Sequence, residues 1–193
     1  MPTPFAVNLA EIATTQFDKF HLQHEHDPEL YKAIKKWHKD IGFGDGFDPI
    51  KTPWSAVFIS WCVFAAGANS GEFKFSTAHS VFVRQAIKNA DAVVGVFRAF
   101  PIDKVAPQVG DIIQFNRGKK PVDFEFARTH SSYPSHSAIV VKTGLVDDQG
   151  PFLVTIGGNE GDSVRMTKVR LTASGRVRQR TLSPYICVVQ TLK

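Results

Sequence analysis

The sequence predicts an α+β domain in which N-terminal helices pack on an antiparallel β-sheet. Three observations carry this. Apolar residues recur with helical spacing over the first half of the chain. Short runs rich in valine and isoleucine replace that period in the second half. Helices come first and strands second, without βαβ alternation, which separates the class from α/β folds. At 193 residues, 43% hydrophobic and 21% charged, the chain is an ordinary globular one, able to bury a core without disulfides or metal.

The elements follow in order. Leu9, Ile12, Phe17 and Phe20 trace a loose helical stripe over residues 8–20. Asp27-Pro28 then reads as a cap with proline at the first helical position. Leu30, Ile34, Trp37 and Ile41 form one buried face, and Gly42 ends that helix. A glycine- and aspartate-rich loop leads to Thr52-Pro53, where a third helix is expected to start, with threonine as its cap. It is apolar nearly all round as far as Gly67, including Phe58, Trp61 and Phe64, which predicts a position at the centre of the core. A fourth helix is expected over residues 78–90. Strands are expected at Asp111–Phe115, Ala138–Thr143, Phe152–Ile156, Val164–Leu171 and Tyr185–Leu192. Residues 116–135 show no clear period. A loop that long is usually functional or disordered, and Phe124, Phe126 and Tyr133 favour an ordered cleft wall or lid.

Composition narrows the function. Lysine and arginine number 23 against 18 acidic residues, a net charge of +5 that favours anionic partners. The one basic cluster, Arg165, Lys168, Arg170, Arg176, Arg178 and Arg180, comes with no nucleic-acid motif, so no nucleic-acid partner is expected. No apolar run reaches the roughly 18 residues of a membrane span. The start carries no basic stretch followed by an apolar one, so no signal peptide is expected. The chain is then cytoplasmic, or exported or delivered by a non-classical route as an effector or lytic protein. Cys62 and Cys187 both sit in apolar runs and read as reduced core residues. His21, His24 and His26, with Glu25 and Asp27, match no closed zinc spacing and read as a solvated connector. Gly42, Gly44 and Gly46 follow no predicted strand and make no nucleotide fingerprint. No metal and no cofactor is expected.

Three places could carry chemistry. Ser55 falls in the first turn of the apolar helix, where free backbone N–H groups and the helix dipole favour an oxyanion. A serine there needs a general base. His136 stands directly before the strand Ala138–Thr143, where it could face that helix start. The glycine turn after the next strand presents Asn159 and Glu160, either of which could orient an imidazole. Each also has a bland reading: helix-start chemistry for Ser55, one histidine among seven for His136, and turn residues for Asn159 and Glu160.

Four motifs occur in a fixed order: Pro-Trp-Ser-Ala-Val-Phe-Ile-Ser-Trp, then Val-Gly-Asp-Ile-Ile, Ser-His-Ser-Ala-Ile-Val-Val and Ile-Gly-Gly-Asn. Together they resemble the papain-like NlpC and CHAP group of cell-wall amidases and endopeptidases, over residues 50–170. The resemblance implies a single domain over residues 1–193, with a helical extension at 1–48 and a papain-like core at 49–193. It implies Ser55 at the nucleophile position, His136 as base and Asn159 as the polar third member, with Asp111 structural. Trp54, His79, Tyr133 and Glu160 are then expected to line the substrate cleft. The departure is serine where relatives carry cysteine. Cys62 lies two helical turns beyond Ser55 and cannot replace it.

Three functions are compatible with these residues. The first is an amide-bond hydrolase acting on peptidoglycan or a short peptide through Ser55, His136 and Asn159. The second is a module that has lost its thiol and binds such a polymer without cutting it. The third is a serine esterase or acyltransferase, although the Gly-x-Ser-x-Gly elbow of common serine hydrolases is absent.

Overall fold

A computed structural model describes all 193 residues. Four long helices precede a six-stranded sheet. They are α1 (Pro4–Phe20), α2 (Pro28–Asp40), α3 (Ser55–Ala65) and α4 (His79–Ala92). The strands are β1 (Phe97–Pro101), β2 (Ile112–Asn116), β3 (Ser135–Asp147), β4 (Gly150–Gly158), β5 (Val164–Arg170) and β6 (Tyr185–Thr191), with a short helix α5 (Phe124–Thr129) between β2 and β3. The spatial order is β1-β6-β2-β3-β4-β5, and every pairing is antiparallel. The fold is α+β. No helix is long and apolar enough to cross a membrane.

Strand alternation splits the apolar residues between two faces. Ile112, Ile139, Ile156 and Cys187 join the helices in the main core, whereas Ile113, Val140, Leu153 and Val188 form a smaller cluster on the other face. Leu9, Ala13 and Phe20 of α1, and Leu30, Ile34 and Trp37 of α2, belong to the main core, so the first 48 residues are built into the same unit as the sheet. Gly110 fixes one of these contacts. Its φ is +87°, and a Cβ there would strike the backbone of Ala6 in α1.

Several expectations shift at element ends. Helix α1 starts earlier than its apolar stripe suggests, because the Thr3 hydroxyl accepts from Ala6 N–H and Pro4 opens the helix. Asp27 does not cap α2 with its side chain; Oδ2 accepts instead from His24 N–H at 2.8 Å. Helix α3 starts at Ser55 rather than at Thr52-Pro53. Thr52 closes the preceding turn, its N–H donating to the Asp48 carbonyl, and the N-cap falls two residues later at Trp54. Within α3 only part of the apolar surface is core: Phe58 is buried, Trp61 half-buried and Phe64 exposed. The hairpin of β3 and β4 runs past the predicted ends, with register shifts that Gly144, at φ +72°, accommodates. Strand β1 and helix α5 were not anticipated. Strand β1 is an edge strand of five residues ending in proline, and α5 is a six-residue helix, so neither offers enough periods to read. Cys62 and Cys187 are buried and unpaired, and burial raises both thiol pKa values.

Candidate active site

The site begins at the first residue of α3. Trp54 occupies the N-cap position and supplies no side-chain cap, so the N–H groups of Ser55, Ala56 and Val57 lack both intrahelical acceptors and a capping oxygen. Helix α3 is held in place because its first turns, Ser55 to Ser60, are buried all round among the sheet, α1 and α2. Gly158 of β4 lies against it so closely that a Cβ there would meet Phe58 and Trp54 at 2.5 and 2.7 Å. The Ser55 side chain emerges at the end of this packed helix, 4% exposed.

Its partner is His79, not His136. Ser55 Oγ lies 2.7 Å from His79 Nε2. His79 opens α4, is 5% exposed, and packs edge-on against Phe82. Burial pushes its pKa well below the usual histidine value, and the neighbouring His136 and Arg117 push it the same way. The ring is therefore neutral at neutral pH. We assign the Ser55 O–H as donor to Nε2, which leaves the ring proton on Nδ1, where a buried nitrogen has no partner.

His136 sits beside this pair. It is the second residue of β3, 1% exposed, with its ring centroid 5.3 Å from that of His79 and 5.0 Å from that of Phe115. Its alternation groups it with Ala138 and Val140, on the face of the smaller cluster. Nε2 donates to Glu160 Oε1 at 2.8 Å, and Glu160 Oε2 accepts from the Thr167 hydroxyl at 2.9 Å. His136 Nδ1 is buried and unpartnered. His79 Nδ1 and His136 Nδ1 thus lie in neighbouring rings, both buried and both without a partner.

Asn159 does not reach His136. The chain turns at Asn159, in the left-handed region at φ 58°, and closes through Glu160 N–H on the Ser163 carbonyl. That turn returns Glu160 beneath Gly157 and leaves Asn159 lining a separate groove. Of the four residues expected in the cleft, Tyr133 and His79 line the groove that contains Ser55. Glu160 does not line that groove; its carboxylate bonds His136 instead. Trp54 is a correction: its ring is fully buried and its indole N–H donates to Glu25 Oε2 at 2.8 Å, so it supports the site from below. Phe126 is no cleft wall either; it stacks on His130 at 3.8 Å. Asp111 is structural in position, accepting from the backbone N–H groups of Gln108 and Thr191 at 2.8 and 2.9 Å.

Two grooves flank the pair. One, of about 300 Å³, is lined by Ser55, His79, Tyr133 and the hydroxyls of Thr77, Ser132 and Ser135. The other, of about 320 Å³, holds Asn159, Glu25, Lys51 and Asp162. Arg117 and Pro53 belong to both. Sequence reasoning missed Arg117 altogether and gave His79 only a lining role. The available signal for His79 was its place at the start of a helix, where a positive charge is disfavoured and a neutral base is at home. No group of three or more histidine, cysteine, aspartate or glutamate side chains converges to hold a metal, and His21 bonds the Phe17 carbonyl and stacks on that ring.

No curated protein and no solved structure matches the chain. One family model does, over residues 29–186, from the start of α2 to β6, so Ser55, His79, Arg117, His136 and Glu160 lie inside it. The chain therefore belongs to DUF2272, a family described as uncharacterised proteins conserved in bacteria.

Proposed function

We propose that the protein is a hydrolase that cuts an amide bond in a peptide, with bacterial cell-wall stem peptides as the substrate class, and that Ser55 is its nucleophile. The observation that carries this is the 2.7 Å contact between Ser55 Oγ and a buried neutral imidazole, at an uncapped helix start that opens on a groove. The resemblance of the four motifs to NlpC and CHAP hydrolases supports the substrate class.

The chemistry follows from the placement. Ser55 Oγ attacks the carbonyl carbon while its proton passes to His79 Nε2. The negative charge that develops on the carbonyl oxygen is met by the first-turn N–H groups of α3. His79 then gives the proton to the leaving nitrogen as the C–N bond breaks, and the acyl group stays on Oγ. Water attacks the ester, His79 again takes the proton and returns it to Oγ, and the acid product leaves. Glu160 places a carboxylate on the far side of His136, which favours positive charge on the imidazole pair during these transfers.

The test is incubation with purified sacculi. New amino groups and muropeptides are expected with the unmodified chain and absent with Ser55→Ala. Covalent modification of Ser55 by a fluorophosphonate probe reports the nucleophile directly. A second reading is a binding module. It is favoured by His79 Nδ1, which lacks the orienting partner of a working triad. Retention on sacculi with neither cleavage nor modification of Ser55 would select it.

A further inference from the structure

We propose that Arg117 is an anion subsite that selects substrates carrying a carboxylate next to the bond cut at Ser55. This rests on the hydrolase reading for the word substrate, but the subsite itself stands on other observations. Most of the basic side chains around the sheet are occupied: Arg128 holds Asp91, Arg170 holds Asp147, and Arg165 donates to the His21 carbonyl. The Arg117 guanidinium has no hydrogen-bond or ion-pair partner in the protein, yet it borders both grooves and its charge reaches His79.

Its base is pinned. Arg117 N–H donates to the Pro134 carbonyl at 3.2 Å, tying the end of β2 to the chain entering β3. The neighbouring Asn116 side chain donates to the Lys120 carbonyl at 2.7 Å and accepts from Gly118 N–H at 2.9 Å. The two grooves differ in what they offer an anion. In the Asn159 groove, Glu25 and Asp162 oppose it, and Lys51 is paired with Asp48. The Ser55 groove contains no carboxylate, and its one full charge is Arg117. Ser135 Oγ donates to the Tyr133 carbonyl and the Tyr133 hydroxyl to Gln114 Oε1, which leaves the hydroxyls of Thr77, Ser80 and Ser132. An anion is therefore accommodated on the Ser55 side, with the guanidinium as its charge partner and Ser132 as a neutral donor. A guanidinium fork fits a carboxylate in two parallel bonds. The carboxylate is either the end of a peptide or an acidic side chain.

The experiment measures binding apart from chemistry. The full chain carrying Ser55→Ala is titrated by fluorescence anisotropy with a labelled tetra-alanine peptide ending in a free carboxylate. Its carboxamide twin, and a carboxamide twin with one internal glutamate, separate the two sources. At least one carboxylate peptide is expected to bind about five-fold or more tighter than the neutral twin, a margin reduced by solvent screening at an exposed arginine. Arg117→Gln removes the preference and Arg117→Lys keeps part of it. Equal binding of all three peptides, binding of none, or a preference that survives Arg117→Gln overturns the subsite. Fluorophosphonate modification of Ser55 in the unmodified chain runs alongside. Its failure would sink the catalytic reading and leave the binding result standing.

Discussion

His79, and not His136, is expected to take the proton from Ser55, and the two can be separated. In His79→Gln the imidazole 2.7 Å from Oγ is gone, whereas in His136→Gln that contact remains and the bond to Glu160 is altered. A general base in hydrogen-bond contact contributes about 10²- to 10⁴-fold, which is about 3–5 kcal/mol of barrier. His79→Gln should slow fluorophosphonate modification of Ser55 by that factor. His136 acts through its neighbour, so His136→Gln should cost about ten-fold. The pH profile adds a second readout. Because burial holds the His79 pKa well below 6.5, the imidazole stays unprotonated as pH falls through 6.5. The modification rate should be level from pH 8 past 6.5 and decline only in more acid solution. Stopped-flow or gel-based labelling over pH 4.5–8.5, with circular dichroism to confirm that each variant is folded, supplies both measurements. A full rate in His79→Gln, or an inflection near the ordinary histidine value that disappears in His136→Gln, would refute the assignment and make His136 the base.

Three further outcomes are expected. Gly157→Ala places a Cβ against the Glu160 carboxylate and 2.9 Å from His136 Nε2, so it should break that pair while leaving Ser55 and His79 in contact. Loss of the His136 imidazole N–H signal in proton NMR, with about 1–3 kcal/mol of lost stability, is the expected result. Trp54→Phe removes the donor to Glu25 Oε2, strands a buried carboxylate oxygen, and should cost about 1–3 kcal/mol in urea unfolding. Asp111 gives a pH dependence of fixed sign. Burial lifts its pKa from 3.8 to about 6, against two backbone N–H donors that pull it down. A raised folded-state value means the group's contribution is full below about 3.8 and is lost as pH rises through about 6. That is at most about 3 kcal/mol over two units, and Asp111→Asn should flatten that part of the stability curve.

The fold was legible wherever one signal ran for several periods. The Leu30, Ile34, Trp37 stripe, the valine-rich runs of β3 and β6, and the glycine stops after α2 and α3 all follow from local chemistry. Its limits are physical as well. Thr52-Pro53 carries the local signature of a helix start, but the cap falls two residues on, at Trp54, whose buried ring ties the first turn to the core. The site was legible as a set of motifs and not as a set of contacts. Ser55, His136 and Glu160 could be picked out by residue type and place. Which histidine meets the hydroxyl depends on how α4 packs beside α3, and a sequence separation of 24 residues carries no trace of it. The choice between Asn159 and Glu160 turned on a single left-handed residue, and asparagine itself is the residue that tolerates it.

Serine at the nucleophile position and the depressed basicity of His79 belong together. A thiol works at such a site by giving up its proton in advance, which requires a stable pair of thiolate and imidazolium. His79 is buried, lies beside a second imidazole, and feels the Arg117 charge, and each of these disfavours imidazolium. With serine at this position, a resting imidazolium is therefore disfavoured. A serine hydroxyl makes no such demand. It keeps its proton until the carbonyl carbon is within reach, and it needs a base that is neutral beforehand and charged only briefly. These features keep His79 neutral and ready for a serine. The Glu160 carboxylate accepts from Thr167 and bonds His136, whose ring lies 5.3 Å from that of His79, so on the proposed mechanism it adds negative charge at a distance. On the proposed mechanism, serine is the nucleophile that this electrostatic environment suits.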